Sequence, residues 1–136
     1  AAEEAGAWLA RFHEKLSFGG AARIMGDAVL SNFIMADQEL VGVDLEDCEK
    51  GNPFDDLGQL AGSILGSEPF FTPIKFDLCV HMIARYEKTA HVDALEKVRP
   101  FVAKHLRIDA RRKPLFRRTL LAAAKSLENS WPELAR

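Results

Sequence analysis

Cysteine is scarce in this chain, with only Cys48 and Cys79 among 136 residues. Two are too few for a disulfide framework, and neither sits in a Cys-x-x-Cys or Cys/His spacing that would hold zinc. That points to a reducing, cytoplasmic setting. No apolar run approaches the roughly 18 residues of a membrane span, and the opening "AAEEAGAWLARFHEK" does not read as a signal peptide. No membrane partner is expected. Nor is there an excess of either charge: a formal net charge of −2 gives no reason to expect nucleic acid or an anionic bilayer. Glycine-rich phosphate loops are missing as well, both GxGxxG and GxxxxGK followed by Ser or Thr. His13, His81, His91 and His105 form no HExxH pattern and read as surface or core residues. Ser17, Ser31 and Ser63 lack a GxSxG elbow, which removes that route to nucleophilic catalysis.

What is present fits one globular domain. The length allows a core without disulfides, and 48% hydrophobic with 28% charged residues is an ordinary balance. Charge is uneven, however. Eight acidic residues lie between Asp37 and Asp56 against Lys50 alone, and nine Lys or Arg lie between Lys97 and Arg118 against Asp109. Each run reads either as a solvated face or as a functional end, metal-binding for the acids and anion-attracting for the bases.

Helical spacing of Trp8, Leu9, Phe12 and Leu16 predicts a helix over 2–16, broken by Gly19 and Gly20. Two apolar runs, Phe33–Met35 and Leu40–Val43, predict a hairpin joined by the four residues "ADQE". Asn52 and Pro53 then cap and open a helix over about 53–66. In it Gly58, Gly62 and Gly66 recur every four residues, which predicts a buried central helix with a neighbouring backbone pressed close. The membrane-dimer reading of such glycines fails, because the segment is short and carries Asp55 and Asp56. Three helical segments follow, with stripes of Ile74, Leu78, Met82 and Tyr86, then Val92, Leu95, Val98, Val102 and Leu106, then Phe116, Leu120, Ala123 and Leu127. Pro100 should bend or divide the second. Trp131 with Pro132 should pin the end. The fold class is mainly α (α+β): a helical bundle with one small β-hairpin.

The stretch "GDAVLSN" precedes the hairpin, with Asp27 before it, Asn32 opening its first strand and Asp44 closing its second. A hairpin returns the chain to its start, so Asn32 and Asp44 should meet. Hard oxygen ligands of this kind suit Mg²⁺, which takes one or two carboxylates plus substrate phosphates. Asp27 would then be free to accept a proton from an attacking hydroxyl. Positioning, metal and an oriented nucleophile are what phosphoryl transfer needs.

Over residues 8–62 the sequence resembles the C-terminal lobe of the aminoglycoside phosphotransferase and choline kinase-like branch of the protein-kinase superfamily. The resemblance rests on Leu9 to His13 against Leu-x-x-Leu-His, "MGDAVLSN" against His-Gly-Asp with an Asn five residues on, "VDLED" against an Ile-Asp-Trp-Glu strand end, and "GNPFDDLGQLA" against Gly-Asp-Pro and Asp-Leu-Ala. It implies a kinase-like C-lobe whose hairpin carries the catalytic loop, with ATP and Mg as cofactors. It implies Asp27 as catalytic base, Asn32 and Asp44 as metal ligands, and Asp56 as the buried residue holding the catalytic loop. Ile34 and Val43 match the apolar positions near the adenine ring, although plain core packing explains them equally well. Departures are Met25 in place of the His, and Leu45 after the metal Asp with no Asp-Phe-Gly triplet. "SNFI" also resembles the small atypical kinases of transfer-RNA modification complexes, which "DLED" fits less well.

Nothing before residue 27 reads as the five-stranded N-terminal lobe that grips nucleotide in that superfamily. The chain is therefore expected to be a single C-terminal lobe over 1–136, incomplete without that lobe. Its expected partners are a nucleotide and a small hydroxyl-bearing substrate. Two other readings stand beside it. One is an inactive kinase-like module that binds a protein or RNA through "RIDARRKPLFRR". The other is a plain helical domain whose acidic loop is a solvated turn.

Overall fold

Helix ends are set by local chemistry. The Asn52 side chain accepts a hydrogen bond from Phe54 N at 3.0 Å, and Pro53 begins α2 (Pro53–Leu65) with Asp55 and Asp56 in its first turn. Thr72 does the same for α3 (Pro73–Ala90), which stops at His91 in the left-handed conformation. The other helices are α1 (Ala2–Lys15), α4 (Leu95–Arg112) and α5 (Arg117–Asn129). The computed structural model describes residues 1–17 and 19–133. Among the described residues the chain is mainly helical, with four short strands: β1 (Arg23–Ile24), β2 (Phe33–Ala36), β3 (Glu39–Gly42) and β4 (Glu49–Lys50).

The expected single hairpin is thus one of two antiparallel ribbons, because β1 also pairs with β4. The β2–β3 hairpin has Ile34 opposite Val41 and Ala36 opposite Glu39, so its connection is Asp37–Gln38 alone, not the four residues "ADQE". Both turn residues take positive φ, 50° and 67°, which gives the tight hairpin turn its required hand. Asn32 lies in a short 3₁₀ turn before β2, and Asp44 lies beyond the end of β3.

The helices share one core. α1 packs along α3, α2 against α4 and α4 against α5. The close approach expected of the α2 glycines is found: a Cβ on Gly58 would stand 2.3 Å from Phe101 Cβ and 2.7 Å from its carbonyl carbon. On α3 the buried stripe is Cys79, Met82, Ile83 and Tyr86, whereas Ile74 and Leu78 are exposed. Steps of four residues advance about 400° around a helix, so the predicted stripe drifts by about 40° per step and lies on the core face only at Met82 and Tyr86. α4 is not divided at Pro100, which is exposed near its beginning; the carbonyl it leaves free, at exposed Glu96, can face water. On α5 the core positions are Leu120, Ala124 and Leu127. Trp131 donates its indole N–H to Leu95 O at 2.9 Å and so fastens the segment after α5 to the start of α4.

Candidate active site

The loop between β1 and β2 runs along α2 from Asp56 to Ser63, and one face of that helix receives its amides. Asp56, 1% exposed, accepts from Met25 N at 2.6 Å and from Gly26 N at 3.1 Å. One turn on, Gln59 Oε1 accepts from Ala28 N at 2.8 Å, and one further, Ser63 Oγ accepts from Leu30 N at 3.0 Å. Residues 56, 59 and 63 share a helical face, so a single rod aligns four loop amides. Buried amides must find acceptors, and a carboxylate in a helix's first turn is favoured by the dipole.

Asp56 is anchored from behind. His13, on the last turn of α1, donates Nε2–H to Asp56 Oδ2 at 2.7 Å, since an ionised carboxylate only accepts. Its Nδ1 meets the Tyr86 hydroxyl of α3 at 2.8 Å. Burial, followed by the nearby Asp56 charge, pushes the Tyr86 phenol above its ordinary range. Three helices therefore converge on the residue that holds the loop.

Within the loop, Gly26 adopts φ 80°, and a Cβ there would stand 2.3 Å from Asp47 O, so glycine alone fits. Asp27 follows, half-buried. Asn32 Nδ2 donates to Asp27 O at 2.9 Å and to Asp27 Oδ2 at 3.1 Å. A backbone carbonyl can only accept, which fixes the orientation of the Asn32 amide and turns Oδ1 away from these bonds. Val43 N donates to Asn32 O at 2.8 Å, extending the hairpin by one pair. Asp44 comes next, exposed and left-handed at φ 61°, ψ 62°.

The structure thus joins Asp27 to Asn32 directly and sets Asp44 one residue beyond the Asn32–Val43 pair. Among the described residues no side-chain bond links Asp44 to either. Ile34 is 45% exposed and lines a largely apolar groove of about 450 Å³ with Leu30, Phe33, Met35 and Leu78; half-buried Val43 lies outside that lining. By register Ile34 faces Val41, with Val43 two residues along. Among the described residues no three His, Cys, Asp or Glu side chains gather as a metal-holding group. The Asn32 amide oxygen and the Asp44 carboxylate are oxygen donors of the type that hard cations take, but no contact between these two side chains is present among the described residues.

Four residues of this arrangement carried no functional reading in the sequence: His13, Gln59, Ser63 and Tyr86. Gln59 and Ser63 stand at three and seven residues from Asp56 on a helix that is otherwise apolar beyond it, and that spacing was the available signal. Tyr86 offered none, because its bond to His13 spans 73 residues. Comparison with family models, curated proteins and solved structures found no match.

Proposed function

We propose that this chain is the kinase-like C-terminal lobe of an ATP- and Mg-dependent phosphotransferase acting on a hydroxyl of a small molecule. The observation that carries the reading is the buried Asp56 carboxylate. It takes the two amides immediately before Asp27 while His13 holds it in place. A loop aligned this firmly is what a positioned base requires.

In this reading Asp27 accepts the proton of the attacking hydroxyl as its oxygen bonds to the γ-phosphorus and the bond to the departing ADP breaks. Asn32, through Oδ1, and Asp44 would hold magnesium, which would neutralise phosphate charge. Ile34 and Val43 would border the adenine, and an N-terminal lobe would complete the nucleotide site. A cytoplasmic setting, where ATP is abundant, accords with it.

Two measurements test this. Mn²⁺ added to the chain should selectively broaden the amide resonances of residues 32 and 44. In the full-length protein, Asp27→Asn should lower phosphate transfer from ATP by at least a hundredfold with the melting temperature unchanged. Unbroadened resonances, or full transfer by Asp27→Asn, would sink the assignment. A second reading, a kinase-like module without chemistry, is favoured by Met25. Where the resembled motif has His, the loop here has a wholly buried apolar anchor. Absence of transfer in the full-length protein would select it.

A further inference from the structure

The junction of α4 and α5 gathers exposed cations around an apolar tip. A 3₁₀ turn, Pro114–Phe116, joins the two helices and leaves Leu115 93% exposed. Arg111, Arg112, Lys113, Arg117 and Arg118 flank it, with no acidic residue between Ala110 and Lys125. Elsewhere on α4 most cations are matched: Lys104 and His105 meet Asp55, Arg107 meets Glu128, and Arg99 meets Glu96, while exposed Lys97 forms no ion pair among the described residues. Among the described residues none of the five at the corner forms an ion pair; Lys113 donates only to Gly66 O at 3.3 Å.

Two of these cations have no structural return. Arg111 and Arg112 complement the carbonyl end of α4, but Arg117 and Arg118 occupy the first turn of α5, which has neither an acid nor a side-chain cap. Positive charge at that end opposes the helix dipole. The exposed surface continues along α5 through Leu121 and Lys125, three and seven residues after Arg118.

We infer that this corner docks on an anionic phospholipid surface, with Leu115 entering the headgroup boundary and the arginines meeting lipid phosphates. Clustered Lys and Arg beside an exposed aliphatic side chain are what such a surface binds. RNA fits less well. Single strands are held by stacking on exposed aromatic rings, and the one aromatic here, Phe116, is turned inward onto Phe70 with ring centroids 4.7 Å apart. Contact is peripheral, since among the described residues no helix is long and apolar enough to cross a membrane. A net charge of −2 conceals the patch because the acids lie in another part of the chain.

Sedimentation of the chain with vesicles tests the inference. Binding is expected to phosphatidylcholine vesicles containing phosphatidylserine, not to phosphatidylcholine alone, and should weaken with added salt. Replacing both Arg117→Gln and Arg118→Gln should lower affinity about 25-fold, at roughly fivefold per cation. Leu115→Ser should lower it about tenfold. All three side chains are exposed, so circular dichroism should show unchanged folding. The inference is overturned if phosphatidylserine makes no difference, or if Leu115→Ser binds as the parent does. Tighter binding to single-stranded RNA than to the vesicles would also overturn it and assign the corner to nucleic acid.

Discussion

The two ends of α2 are built on opposite principles. At its beginning, Asp56 is almost wholly buried, and each polar atom around it has a partner drawn from a distant part of the chain. At its far end, Gly66 receives Lys113 from a corner where cations stand unpaired and Leu115 faces water. About 15 Å of helix separates Asp56 from Gly66. Buried polar groups must be satisfied or they destabilise the fold, so the first end is rigid by necessity. Exposed charges cost little wherever they sit, so the second end is free to be shaped by something outside the chain.

Substitutions should expose that contrast, beginning with the largest effect. Asp56→Ala strands the Met25 and Gly26 amides and the His13 ring and should cost about 3–5 kcal/mol, read by urea unfolding. Gly58→Ala forces a methyl against the Phe101 backbone; overpacking of about 1–3 kcal/mol should exceed the helix-propensity gain of about 1 kcal/mol. Gln59→Ala should cost about 1 kcal/mol and speed hydrogen exchange chiefly at the Ala28 amide.

Acid should act through Asp55. Partial burial would raise its pKa, but hydrogen bonds from Lys104 and His105 outweigh this and hold the carboxyl below the usual range. A depressed folded-state pKa gives stability that is complete above the unfolded value, near 3.9, and lost as pH falls through the folded one. Asp55→Asn should therefore flatten the acid limb of a stability–pH curve. At the opposite extreme, Arg117→Gln should leave thermal stability unchanged or raise it by a few tenths of a kcal/mol, because it removes a charge opposed to the α5 dipole. A loss there as large as that from Asp56→Ala would erase the distinction between the two ends.

Much of this was legible in the sequence where local chemistry decides. Asn52–Pro53 announced the start of α2, and the spacing of Gly58, Gly62 and Gly66 announced a pressed helix face. Asp27, Asn32 and Asp56 could be singled out because they sit in short patterned stretches. The β1–β4 ribbon was invisible, since two residues per strand carry no periodicity. The turn length was missed because Asp37 and Gln38 adopt a backbone region usually left to Asn and Gly. The stripe on α3 was drawn with a repeat of four where the core follows 3.6. His13 was read only as a surface or core residue, because its partners lie 43 and 73 positions away, beyond any local pattern.

That same remoteness bears on how the molecule comes together. Closing contacts across such separations costs loop entropy, so the loop is aligned only once α1, α2 and α3 meet around His13. Without that meeting Asp56 lacks its His13 anchor, and Asp27 sits on an unaligned loop. Order in the stretch from Gly26 to Asn32 is thus a gauge of finished folding.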